Sequence, residues 1–97
     1  MLSDIAKLVD VFSIGGTKNG ALLGEALVIV REDLKKDFRY LIKQRGAMMA
    51  KGFVLGIQFE ELFRDKLYFE LAMHANNMAK RIENTIKDCG YNFYASP

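Results

Sequence analysis

A hydroxyl, an amine and an amide stand side by side between glycines in Gly15-Gly16-Thr17-Lys18-Asn19-Gly20. A lysine held at the end of a buried strand is a setting for a depressed amine pKa and Schiff-base chemistry with a carbonyl compound. The glycines let the backbone take a positive φ or come close to a bound group. Read from spacing alone, the same segment favours a solvated hairpin turn. Arg45 and Lys51 flank Gly46-Ala47-Met48-Met49 and read as solvated basic residues at a helix end. His74 is the one histidine. It has no second imidazole or thiol at metal-ligand spacing and no serine or cysteine placed as a nucleophile, so it reads as structural. Cys89, near a helix end, reads as a packed thiol.

The elements that position these groups follow from periodicity. Ser3 is a fair N-cap for a helical turn over residues 4–8, with Asp4 in the first turn. Val9, Val11 and Ile14 predict a first strand over 9–14, and the apolar Ala26-Leu27-Val28-Ile29 a second over 25–30. That run fits a strand covered on both faces, and the two strands either form a hairpin or are neighbours in a larger sheet. Leu34, Phe38, Leu41 and Ile42 make one helical stripe over 33–44, with Gly46 as the break. A second helix is expected over 47–63, apolar on more than one face, with Gly52 and Gly56 offering a neighbouring helix a close approach. Asp65 is placed to cap a third helix over 66–89, whose stripe from Tyr68 to Ile86 holds for six turns, with Gly90 at the C-cap. Tyr91-Asn92-Phe93-Tyr94 reads as the start of another strand.

A chain of 97 residues allows one domain, and 51% hydrophobic content excludes a disordered chain. The charge of +2 argues against a nucleic-acid binder and a membrane-surface protein. One cysteine fits a reducing compartment, and with no basic-then-apolar leader and no run of membrane-spanning length the expectation is cytoplasmic.

Gly16-Thr17-Lys18-Asn19-Gly20-Ala21-Leu22-Leu23-Gly24 resembles the cofactor-lysine segment of the pyridoxal-phosphate-dependent threonine aldolase / β-eliminating lyase family of fold type I. Lys43-Gln44-Arg45-Gly46-Ala47-Met48-Met49 is similar to the basic helix start that follows in that family. His74-Ala75-Asn76-Asn77-Met78-Ala79 resembles its His-Ala-x-x-x-Ala stretch. The resemblance implies that Lys18 forms the Schiff base with pyridoxal 5'-phosphate and later acts as a base. Thr17 would hydrogen-bond the cofactor phosphate, a role that competes with a bond to its own turn. A basic residue near Arg45 or Lys51 would also reach toward the phosphate. Asn19 and Gly20 depart from the family's usual Gly-Leu-Gly after the lysine, which leaves the substrate open.

The resemblance also implies what must lie elsewhere. Family members run to several hundred residues, and the carboxylate for the pyridine nitrogen, the ring stacked on the cofactor and the arginine for the substrate carboxylate match nothing here. Asp4 and Asp10 are too near Lys18 to be that carboxylate. The expectation is therefore an α+β fragment of an α/β fold type I large domain: a short strand pair followed by three helices, the last one long. Residues 1–90 would belong to the large domain and 91–97 to the start of the small one. The amino-acid substrate would be a small β-hydroxy amino acid, and a homo-oligomer or a complementing chain would supply the rest. The rival expectation is a non-catalytic helical oligomerisation module in which Lys18 is an ordinary turn residue.

Overall fold

The computed structural model describes residues 2–95. Helix α1 (Leu2–Ile5) leads into strand β1 (Val11–Gly15), and strand β2 (Glu25–Ile29) follows a glycine-rich loop. A 3-10 turn (Glu32–Lys35) and helices α2 (Phe38–Gln44), α3 (Phe53–Phe63) and α4 (Leu67–Asp88) complete the order, with a second 3-10 turn (Arg64–Lys66) between α3 and α4. The strands form an antiparallel hairpin, Val11 opposite Ile29 and Gly15 opposite Glu25, the first of the two arrangements the sequence left open.

Several expected boundaries move, each for a local reason. Ser3 lies inside α1 and does not cap it, and the helix closes early through i→i+3 bonds from Lys7 to Asp4 and from Leu8 to Ile5. β1 starts two residues later than expected and includes Gly15. The helix expected over 33–44 is cut in two at Asp37, which takes a left-handed conformation with φ 56°. Ion pairs Arg31–Asp33 and Lys35–Glu32 brace the 3-10 turn before the cut. The helix expected from residue 47 begins only at Phe53. Gly46, at φ 71°, closes α2 with paired bonds from Gly46 N to the Lys43 carbonyl and from Ala47 N to the Ile42 carbonyl, and this turns the chain out of helix. Nothing lies within 4 Å of a Cβ added at Gly56, and at Gly52 only the Met49 carbonyl does, so no helix uses that pair for close approach among the described residues.

The α3–α4 elbow also differs. Asp65 does not cap α4: it sits at φ 49°, and the N-cap Lys66 at φ 68°, with no side-chain capping bond at the helix start. Two successive left-handed residues without glycine carry no sequence signature, because L side chains disfavour that region. The long helix itself matches expectation. Gly90, at φ 82°, ends it with the same paired bonds, Gly90 N to Lys87 and Tyr91 N to Ile86. The strand expected over 91–94 does not form. Phe93 instead faces the Lys87 ammonium at 5.8 Å from its ring centre. Residues 96 and 97 lie outside the described residues.

The apolar core is small. Among the described residues Ile14, Ala21, Phe59 and Leu62 are the buried apolar side chains. β2, expected to be covered on both faces, leaves Leu27 51% exposed, because two strands can bury only one face against the helices. The radius of gyration is 18.2 Å, against about 13 Å for a compact domain of this size. No described helix is long and apolar enough to cross a membrane.

Candidate functional site: the lysine loop

The loop between the strands is the best-tied part of the chain. Gly16 accepts through its carbonyl from Asn19 N (2.9 Å) and Ala21 N (3.0 Å), so Thr17 and Lys18 occupy the middle of a tight turn. The loop then lies against the α3–α4 elbow. A Cβ at Gly16 would meet Ala21 Cβ at 2.7 Å and Phe59 Cζ at 2.8 Å. One at Gly20, where φ is 105°, would lie 2.9 Å from both Leu62 Cδ2 and Leu71 Cδ1, and one at Gly24 would lie 2.8 Å from Leu55 Cδ2. These glycines were expected to admit a turn or a bound group. The close approach they permit is to the chain's own helices, and only Gly15 faces open space.

Three side chains pin the polar backbone of this loop. The Tyr68 hydroxyl donates to the Gly15 carbonyl at 3.0 Å, while Asn19 Nδ2 donates to the Tyr68 carbonyl at 2.8 Å. Gln58 Oε1 accepts from Leu22 N (2.7 Å) and Leu23 N (3.3 Å), and Gln58 Nε2 donates to the Leu23 carbonyl at 3.4 Å. The Tyr68 ring is itself held, stacked on Phe63 at 5.1 Å and edge-on to Phe69 at 5.7 Å.

Thr17 and Lys18 point out of this frame. Both are exposed, and neither side chain makes a hydrogen bond or ion pair among the described residues. The turn-stabilising bond considered for Thr17 is therefore not formed. The lysine was expected at the end of a buried strand, but Gly15 ends β1 and the amine stands three residues beyond, in solvent. Arg45, at the C-cap of α2, and Lys51, just before α3, are also exposed. Neither makes a side-chain hydrogen bond or ion pair among the described residues. His74 and Cys89 are exposed as well, so the thiol is not the packed one expected.

Sequence reasoning missed Tyr68 and Gln58. Tyr68 passed for one more member of the α4 stripe. Gln58 carried a signal: it is a lone amide on the face of α3 that also carries Leu55 and Leu62, and a polar group so placed is almost always hydrogen-bonded. Larger surface clefts lie elsewhere, one beside Ile42, Met48 and Phe53 and another where Ile82, Glu83 and Ile86 of α4 face Phe93. No described cluster of His, Cys, Asp and Glu could hold a metal ion.

The loop offers a primary amine in solvent, a hydroxyl beside it and open space at Gly15. The chain is 36% identical over 80 residues to a low-specificity L-threonine aldolase of Pseudomonas aeruginosa and 35% identical over 80 residues to one of a Pseudomonas species. Those 80 residues are 82% of this chain and 23% of each relative, so the chain spans about a quarter of the length of the proteins it matches. A stretch of that length includes positions 18–80 wherever it starts, and so takes in Lys18, Gln58 and Tyr68. No family model matches the chain, and no solved structure matches it significantly. Across most of its length, this chain is thus similar to one part of two threonine aldolases.

Proposed function

We propose that this chain is a piece of a threonine-aldolase-type lyase and that Lys18 is its attachment lysine for pyridoxal 5'-phosphate. The observation that carries the reading is the pairing of an exposed lysine with a loop tied on both sides of it, inside a stretch similar to two low-specificity L-threonine aldolases. The cofactor, when bound, supplies an electron sink for cleaving the Cα–Cβ bond of a β-hydroxy amino acid to glycine and an aldehyde. This chain's own part is to offer the amine at one fixed place, with the Thr17 hydroxyl beside it for the phosphate and Arg45 or Lys51 as further phosphate contacts from outside the loop. In this reading residues 1–90 belong to a large domain and 91–97 begin a small one. A second subunit or a companion chain brings the missing carboxylate, ring and arginine, and the chain alone is a poor catalyst. The cytoplasm is the compartment this assigns.

A second reading has its own observation. Ile57 is 55% and Ile82 62% exposed, so α3 and α4 offer broad apolar surface to another helix, as a non-catalytic oligomerisation module would. Cofactor capture separates the two. The chain is mixed with pyridoxal phosphate and treated with borohydride, and the label is located by peptide mass. The amine nitrogen joins the aldehyde carbon with loss of water, and hydride delivered to that carbon fixes the link as a secondary amine. Label concentrated at Lys18 and abolished by Lys18→Ala is the expected result. Label scattered over Lys35, Lys36 and Lys43 overturns the enzyme reading and leaves the module.

A further inference from the structure

We infer that Tyr68 and Asn19 are positioning residues for Lys18, a latch by which the elbow between α3 and α4 sets where the amine stands. The inference rests on the reading of Lys18 given above. One residue of α4 reaches both flanks of the lysine turn: its hydroxyl holds the carbonyl of Gly15, three residues before Lys18, and its carbonyl holds the side chain of Asn19, the residue after it. Between those anchors the Gly16 carbonyl closes the turn by accepting from Asn19 N and Ala21 N. The backbone on both sides of Thr17 and Lys18 is thereby tied, while their side chains stay in solvent. The latch is itself rigid, because the Tyr68 ring is stacked against Phe63 and edged by Phe69. Neither bond adds to the apolar core. A turn that needed only to join two strands has no use for a second anchor 49 residues away.

Tyr68→Phe removes the hydroxyl and keeps both ring contacts. Two measurements are made on the full chain: hydrogen exchange at the amides of Asn19 and Ala21, which needs no cofactor, and the share of borohydride-fixed pyridoxyl label found at Lys18. The latch predicts exchange about fivefold faster at those two amides, the effect of losing one hydrogen bond, with the β1–β2 ladder unchanged. It also predicts a similar fall in the Lys18 share relative to Lys35, Lys36 and Lys43. Unchanged loop exchange overturns the inference. So does faster loop exchange with an unchanged Lys18 share, since the loop would then loosen without moving the amine. If Tyr68→Phe speeds exchange everywhere, Asn19→Ala repeats both readouts from the other end of the latch, with the same two outcomes. Absence of selective label in the unaltered chain overturns the function reading and takes this inference with it. Selective label that Tyr68→Phe leaves untouched overturns the latch alone.

Discussion

The two ends of this molecule solve the same problem differently. At one end the lysine loop and the α3–α4 elbow satisfy each other: glycines meet Phe59, Leu62, Leu71 and Leu55, and the loop amides and carbonyls find Tyr68, Asn19 and Gln58. At the other end the second half of α4 carries an equally regular apolar stripe met, among the described residues, by the short segment after Gly90, and Ile82 is 62% exposed. Periodicity is the same in both halves. What differs is how much of a partner the tertiary fold supplies, and among the described residues the buried apolar side chains lie around the lysine loop. The chain is organised by a docked loop more than by a hydrophobic core.

The sharpest way to break that contrast is to truncate one large side chain at each end. Phe59→Ala removes a ring from a core of four buried apolar residues among those described and should cost about 3–5 kcal/mol, enough to unfold a marginal chain. Ile82→Ala should stay within about 0.5 kcal/mol, as surface substitutions do. Urea titration followed by circular dichroism reads both, and equal effects would sink the comparison.

Glycine replacements sharpen it further. Gly20→Ala forces a methyl group to within 2.9 Å of two leucines at a positive φ, and should destabilise by about 1–3 kcal/mol in the same titration. Gly56→Ala, inside α3 with nothing near the added carbon, should stabilise by about 0.5–1 kcal/mol. A smaller gain is expected at the elbow. Lys66→Gly relieves a left-handed non-glycine residue, and relief of about 1–2 kcal/mol is partly offset by the freer unfolded chain, leaving under about 1 kcal/mol in thermal melts.

The smallest effect belongs to the far half of α4. There Glu83 is nearly buried between Lys80, at 2.8 Å, and Lys87, and hydrogen bonds from Lys80 first and Lys87 second hold its carboxyl below the ordinary carboxylate value. The unfolded chain takes up this proton at higher pH than the folded one. The stabilisation is therefore complete above the ordinary value near 4.5 and is lost as pH falls through the lower folded value. Helix content followed against pH should fall on the acid side in the unaltered chain. Glu83→Gln should remove that part of the pH dependence, and an identical profile would mean the pairing contributes nothing.

Much of the architecture could be read in advance, because it depends on neighbours in sequence. The strand pair, the long helix and its Gly90 stop, the Gly46 stop and the Thr17-Lys18 turn all follow from propensity, periodicity and glycine at positive φ. The expected helix over 33–44 failed because Asp37 accepts a left-handed conformation that breaks a correct apolar period. The cap assigned to Asp65 failed because the elbow twists two residues against their preference. For the site, residue types alone pointed to Lys18 and Thr17. That Lys18 stands clear of the sheet, that the glycines are filled by Phe59, Leu62 and Leu55, and that Tyr68 ties down both sides of the turn were decided by contacts spanning 31 to 53 positions, which no local pattern encodes. Sequence by itself determined the elements and the reactive groups. The tertiary structure alone decided which of those groups are held still, because holding a loop takes hydrogen bonds and side-chain contacts from segments far away along the chain.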